Sequence, residues 1–392
     1  MPDTLPLAPW TQRHDLAALV AALGPGNARW VGGAVRDTLL GHEVKDIDAA
    51  TPLHPAEVIE RLDAARIRTV PTGIDHGTVT ALLPGGNVEV TTLRHDVSTD
   101  GRRATVAFAS EWRDDAQRRD FTINALYADP VTLEIHDWFG GLADLAARRV
   151  RFIGDARQRI REDHLRILRY FRFQARFGSA PEPSAEDACA ELADTLKGIS
   201  RERVGWELLT LLALPDPSAT VARMHRLGVL PVVLPEARGS GIEALGTLIA
   251  AERAAGIAPD PLRRLAALLP AVPAVAETVA ARLRLSKAQR ARLSSAAERG
   301  QGAERDPRAL AYREGIECAR DRVLLTGGDP APLDGWTVPQ LPLKGGEIVA
   351  RGVGAGPQVA RLLRRVEDRW IAEGFPARDR VSHILDELLS AG

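Results

Sequence analysis

The hydrophobic pattern divides the chain near residue 150. Before that point, short runs rich in Val, Ile and Thr alternate with brief helical segments and Gly-rich turns. Strands are expected at 29–31, 46–50, 68–70, 78–83, 87–93, 125–129 and 134–137, with a Pro84-Gly85-Gly86 turn between two of them. A helix at 15–23 is closed by Gly24-Pro25-Gly26, and another runs from about 34 to 40. Beyond 150 the period-2 signal stops. Helical spacing covers 155–177, 184–196, 201–213, 216–227, 240–255, 260–284, 286–299 and 307–324, punctuated by Pro and Gly. Residues 327–343 read as an irregular linker, and two or three helices follow in 345–392. The pattern predicts an α+β protein: a small mixed-sheet domain, then an all-helical remainder.

Composition narrows the class. The 392 residues suit two to four domains, at roughly 100–200 residues each. Apolar residues make up 45% and charged residues 26%, the balance of a globular chain. With 51 basic and 52 acidic residues the net charge is −1, which excludes a globally basic nucleic-acid binder but not a local basic face. Lysine supplies only four of the basic residues, a compositional bias that by itself argues nothing about phosphate binding. No apolar run is long enough to span a membrane. The N-terminus lacks the basic start and cleavage site of a signal peptide. Two cysteines make neither a disulfide framework nor a Cys-based zinc site, so a cytoplasmic setting is expected.

The segment VGGAVRDTLLGHEVKDID (31–48) carries the first chemistry. A strand runs into Gly32-Gly33 and then a helix, so backbone N–H groups and the helix dipole can face a phosphate at Gly33. Arg36 adds a charged fork in the first turn. Asp46 and Asp48 are two apart on a strand and face one way, within reach of a shared hard cation such as Mg²⁺. Two solvated acids on a surface strand would give the same short motif. The phosphate cradle just upstream favours the metal reading. Glu89, in the alternating run NVEVTTLR, is either a third carboxylate or an exposed strand residue.

Two further segments follow. RRDFTINAL (118–126) sets Arg118 and Arg119 beside Asp120, suited to a triphosphate or to a charged helix start. The polar stretch 96–115 before it reads as a mobile loop near the site. REDHLRILRYFRFQARF (161–177) lies in a strongly basic region, with eight arginines against three acids over 151–176. Asp163 and Arg166 are three apart and so neighbours on a helix face, as are Arg166 and Arg169, and Arg169 and Arg172. Such a carboxylate–guanidinium pair could be a plain salt bridge. It could also read a base, accepting from an exocyclic amine and donating to a ring acceptor. Cytosine and adenine share that order; guanine and uracil do not.

Taken in order, VGGAVRD…LLG…KDID, RRDFTINAL, and REDHLRILRYFRF followed by ERVGWELLTLL resemble the motifs of class II tRNA nucleotidyltransferases. These are the CCA-adding enzymes of the polymerase-beta-type superfamily, whose motifs bacterial poly(A) polymerases share. The resemblance is good over roughly 28–215 and weaker in the tail. It implies a nucleotidyltransferase head (1–150), a base-recognising neck (151–215), a helical body (216–326) and a tail that contacts tRNA (327–392). It implies addition of CCA to tRNA from CTP and ATP without a nucleic-acid template. Asp46 and Asp48 would hold Mg²⁺, with Glu89 as a third catalytic carboxylate. Gly33, Arg36 and Arg119 would contact the nucleotide's phosphates or sugar. Asp163 and Arg166 would form the protein template, oriented by Glu162, with Arg169 and Arg172 in support. The motif E-D-x-x-R is met with His164 at its third position, expected to point away from the Asp163–Arg166 face. The alternatives are a poly(A) polymerase, an enzyme adding only CC or only A, and an RNA-binding protein with an inactive head. The chain has no extended basic C-terminus, which disfavours the first. The stretch 96–115 disfavours CC-only addition. The intact carboxylates and arginines disfavour the inactive head. The oligomeric state is open.

Overall fold

The β-type runs assemble into one mixed sheet. The protein is described here from a computed structural model covering residues 2–99, 104–177 and 180–390. Its contacts divide the chain into two units, Met1–Pro235 and Glu236–Gly392.

The strands of the first unit are β1 (Arg29–Val31), β2 (Ile47–Thr51), β3 (Thr69–Gly73), β4 (Thr78–Ala81), β5 (Val88–Thr92), β6 (Arg94–Thr99), β7 (Ala104–Phe108), β8 (Leu126–Ala128) and β9 (Ile135–Asp137). Seven of them form a sheet in the order β3-β4-β5-β2-β1-β8-β9. The β2–β5 pair is parallel and its neighbours in the sheet are antiparallel. Every expected run is a strand, with ends shifted by up to three residues. The alternation in β2 buries Ile47 and Ala49 and leaves Asp48 half-buried on the other face. The pairing then sets Val31, Asp48 and Glu89 side by side across β1, β2 and β5.

Helices α1 (His14–Leu23), α2 (Gly33–Leu39), α3 (Pro55–Ala64), α4 (Trp112–Gln117) and α5 (Gly141–Ala146) accompany the sheet. Then come α6 (Ala156–Glu162), α7 (Arg166–Phe177), α8 (Pro183–Glu191), α9 (Arg201–Leu212), α10 (Ser218–Arg226) and α11 (Val229–Val233). An aromatic cluster fastens α7 to the RRDFTIN segment. Phe121 lies 4.9 Å from Phe152 and 5.2 Å from Phe173 between ring centroids, and Tyr170 stacks on Phe152 at 5.7 Å. Phe121, Phe152, Tyr170 and Phe173 are all buried, so this contact rests on apolar burial and ring packing.

Two expectations need correction. The stretch 96–115 is not simply a loop. It contributes to an antiparallel hairpin of β6 and β7, and α4 follows; residues 100–103 lie outside the described residues. The period-2 run ATVAF at 104–108 was hidden by its polar surroundings. The expected helix 155–177 is two helices. Asp163 is extended (φ −147°, ψ 104°), and its carboxylate accepts from the Leu165 N–H at 3.1 Å. That local bond offers the backbone an alternative to helix, so α6 stops and α7 restarts. Asp163 and Arg166 therefore do not share one helix face.

The second unit holds α12 (Gly239–Ala254), α13 (Pro261–Leu268), α14 (Pro273–Arg282), α15 (Lys287–Ala297), α16 (Pro307–Glu314) and α17 (Ile316–Leu325). It ends with α18 (Gly345–Val349), α19 (Pro357–Ala372) and α20 (Arg378–Ser390). Pro270 and Pro273 divide the expected helix 260–284, and Gly315 at φ +94° divides 307–324. The centre of α12, α13, α15 and α17 is ionic. Arg263 donates to Glu252 at 2.7 Å and to Asp321 at 2.8 Å, Arg264 to Glu252 at 2.8 Å, and Arg292 to Asp321 at 2.6 Å. Trp370, Ile371, Ile384 and Leu385 centre a separate apolar cluster over α18–α20. No helix among the described residues is long and apolar enough to cross a membrane.

Candidate nucleotide site

The β1–α2 turn opens the site. Gly32 sits at φ +70°, and a Cβ there would meet the Arg119 guanidinium at 3.3 Å, so both conformation and space call for glycine. From this turn a cleft of about 340 Å³ runs to the start of α7. Gly32, Gly33, Arg36, Asp48, Arg118, Arg119, Asp120, Asn124, Asp163, Arg166, Arg169 and Phe173 line it. Seven of the ten residues singled out from sequence are there: Gly33, Arg36, Asp48, Arg119, Asp163, Arg166 and Arg169. Asp46 directly precedes β2, two residues from Asp48. Glu89 is Asp48's exposed partner across the β2–β5 register and does not line the cleft. Arg172 is buried behind Phe173, its guanidinium 4.8 Å from that ring.

The acidic end carries unbalanced charge. Among the described residues no hydrogen bond or ion pair reaches the carboxylates of Asp46, Asp48 or Glu89 from another side chain. Burial pushes the Asp48 carboxyl up, Glu89 and Asp46 add to the rise, and Arg119 opposes it. Hard oxygen donors close together, opposed only by the more distant charge of Arg119, fit a divalent cation. Among the described residues no three ligating side chains close a cage by themselves. A cation here would need ligands from outside the protein, as phosphate oxygens provide.

The wall of the cleft is a hydrogen-bonded set of arginines. Buried Asp115, on α4, accepts from Arg118 Nε at 2.8 Å, Arg119 Nη2 at 3.3 Å and the Tyr127 hydroxyl. Arg119 Nε also donates to the Tyr127 hydroxyl at 2.9 Å. Burial works against the charge on Arg119, but Tyr127 and Asp115 outweigh it and hold the guanidinium more firmly protonated than usual. Arg36 is buried against Phe173 and Phe177, donates to Asp37 at 2.8 Å and donates to the side-chain Oδ1 of Asn124. Burial lowers its affinity for a proton. Asp120 accepts from Arg169 Nε at 2.7 Å and from the Asn124 amide at 2.9 Å. Burial pushes its carboxyl up, but Arg169, Asn124 and the Phe121 N–H more than offset that and bring it down to about 2.

At the far end Asp163 and Arg166 each have other partners. Arg166 Nη1 donates to Glu162 at 2.8 Å and to the Arg159 carbonyl at 2.9 Å, and Nη2 donates to the Arg118 carbonyl at 3.0 Å. Its Nε–H and one Nη2–H remain for a ligand. Asp163 accepts from Arg203 at 2.8 Å, with lone pairs to spare on both oxygens. Glu162 thus orients the guanidinium, and Arg203 the carboxylate. Asp120 and Asn124 lie in RRDFTINAL, but their roles needed the fold. Arg203 lies in ERVGWELLTLL, but its pairing with Asp163, 40 residues away in sequence, also needed the fold.

Comparison with known proteins agrees with this arrangement. Residues 28–151 match the family model described as "Poly A polymerase head domain". Residues 180–239 match "Probable RNA and SrmB- binding site of polymerase A". The mouse (Mus musculus) protein "CCA tRNA nucleotidyltransferase 1, mitochondrial" is 35% identical over 387 residues, covering 92% of this chain and 85% of that one. The chain belongs to the CCA tRNA nucleotidyltransferase family.

A second member, the CCA-adding enzyme of Levilactobacillus brevis, is 43% identical over 204 residues, spanning 52% of this chain and 50% of its own. The crystal structure of the Bacillus stearothermophilus CCA-adding enzyme in complex with CTP superposes with a TM-score of 0.77 at 26% identity, covering 98% of this chain and 99% of that one. As a member of this family the chain is a metal-dependent nucleotidyltransferase.

Proposed function

We propose that this chain completes the 3′ end of tRNA, adding C, C and A from CTP and ATP without a nucleic-acid template. One observation carries the reading: Asp48, the arginine wall and the Asp163–Arg166 pair line a single cleft.

Asp46 and Asp48 would hold Mg²⁺, whose preference for a few carboxylates plus phosphate oxygens suits this donor set. Such an ion supplies charge neutralisation at the triphosphate and acidifies the attacking hydroxyl. Glu89 would add a third carboxylate beside them. In the reaction the tRNA O3′ bonds to the α-phosphorus, and the bond from that phosphorus to the bridging β-phosphate oxygen breaks to release pyrophosphate. Gly33, Arg36 and Arg119 would contact the phosphates or sugar. Asp163 would accept from the exocyclic amine of C or A while Arg166 donates to the ring acceptor. Uracil and guanine present the wrong order there, leaving polar groups of the site unpaired. Asp120 and Glu207 would hold Arg169 and Arg172 in place as supports.

We assign 1–150 to the head, 151–215 to the neck, 216–326 to the body and 327–392 to the tail. The tRNA would bind mostly through phosphates and shape, so binding should weaken with salt. The free thiols Cys189 and Cys318 are compatible with a reducing cytoplasm.

The test is direct. Purified protein is incubated with Mg²⁺, CTP, ATP and a tRNA transcript ending at the discriminator base, and the 3′ ends are sequenced. Products ending in CCA are expected. Long A tails would make the protein a poly(A) polymerase. Products stopping at CC, or extension only of transcripts already ending in CC, would make it half of a split pair. Binding without extension would leave an inactive RNA-binding protein.

A further inference from the structure

Trp206 on α9 is out of place by the usual rule for large apolar side chains. It is 59% exposed, the most exposed aromatic residue among those described. Its neighbour Glu207, by contrast, is 1% exposed. A tryptophan left in water forgoes one of the larger burial gains a side chain can make.

The neighbours of Trp206 lead into the nucleotide cleft from two directions. The Arg172 guanidinium lies 5.6 Å from the Trp206 ring and 4.8 Å from the ring of Phe173, which lines the cleft. Arg172 is thereby held between two aromatic rings, and Glu207 fixes it with a bond of 2.6 Å. One turn earlier on α9, Arg203 reaches Asp163 at the base end of the cleft. The exposed ring therefore continues a Phe–Arg–Trp stack outward from the cleft.

We propose that Trp206 is a stacking platform for an unpaired nucleotide at the 3′ end of the RNA substrate. This rests on the tRNA-extending function proposed above. The chemistry of the occupant follows from the reaction. The last nucleotides of the acceptor strand are single-stranded, and their identity at any fixed subsite changes as the strand grows. A hydrogen-bonding subsite would reject some of them. A ring face accepts every base, because stacking is tolerant of sequence. The guanidinium behind the indole, held by Glu207, makes that platform rigid.

The experiment compares wild type, Trp206→Ala and Trp206→Phe. The KM for a tRNA transcript lacking CCA and the KM for CTP are measured separately. Base–aromatic stacking predicts a rise of roughly 5- to 100-fold in the RNA KM for Trp206→Ala, with the CTP KM unchanged and most of the effect rescued in Trp206→Phe. A transcript carrying 2-aminopurine at its last unpaired position should be quenched on binding wild type and not on binding Trp206→Ala. An unchanged RNA KM and equal quenching in Trp206→Ala, with wild type still extending tRNA, would overturn the platform and leave the ring as a protein-contact surface. An equal rise in both KM values would also overturn it, since that is the signature of disturbed Arg172 packing. If wild type extends no tRNA, it is the proposed function that fails.

Discussion

Arg203 Nη2 stands 2.8 Å from Asp163 Oδ2, so a helix far along the chain sets the carboxylate that ends the nucleotide cleft. Both side chains are partly exposed, and the pair adds little to stability. Its consequence is orientation. Arg203→Ala is expected to leave the thermal midpoint nearly unchanged and to raise misincorporation of UTP or GTP by roughly threefold to tenfold. Asp163→Ala and Arg166→Ala should loosen base choice further. Nucleotide competition assays check this, and unchanged rejection of UTP and GTP in all three variants would remove the template reading.

Asp120 has the opposite character, since it is buried and holds both Arg169 and Asn124. Asp120→Asn removes the charge that Arg169 faces. A loss of about 1–3 kcal/mol is expected, below the usual figure for breaking a buried pair because Arg169 is about one-third exposed. The KM for CTP should rise with it. Urea titration and initial-rate kinetics read the two effects, and a variant normal in both would show that Asp120 is dispensable.

The same residue predicts an acid response. Its folded pKa of about 2 lies below the unfolded value of about 3.9, so the unfolded chain binds the proton more readily. The stabilisation is complete above about pH 5 and is lost progressively as pH falls through about 2. Urea midpoints measured from pH 5 down to pH 2 should fall less steeply in Asp120→Asn than in wild type. Parallel curves would rule out this linkage.

Asp48 is half-buried beside Asp46 and Glu89, with no ion pair to it among the described residues. Removing its charge should help the metal-free fold and harm the reaction. Asp48→Asn is expected to raise the thermal midpoint in EDTA while lowering transfer at least about a hundredfold, with tRNA binding retained. Near-normal turnover in this variant or in Asp46→Ala would show the metal assignment to be wrong.

In the second unit Asp321 accepts from Arg263 and Arg292 in full burial. Asp321→Ala would strand Arg263 beside Glu252 alone, and a cost of about 3–5 kcal/mol is expected. Calorimetry of the whole chain should show an early transition. A melting profile like that of wild type would mean the network relaxes without cost.

The sequence by itself determined the α+β class, the seven strands of the sheet and seven of the residues lining the cleft. These are local matters. Period-2 runs bury one face of a strand whatever the partner, and Gly32-Gly33 must turn before α2. Only the tertiary structure decided the rest. It separated Asp163 from Arg166 by ending a helix between them, because the Asp163 carboxylate captured the Leu165 N–H. It gave Asp163 to Arg203, Arg166 to Glu162 and Arg169 to Asp120. It turned charged positions on α12, α13, α15 and α17 into an ionic core. Which acid an arginine meets depends on which elements pack together, and in a chain with 47 arginines a local pattern offers many equivalent partners. Burial then makes the actual pairing matter, since a charge removed from water must find its counter-charge nearby.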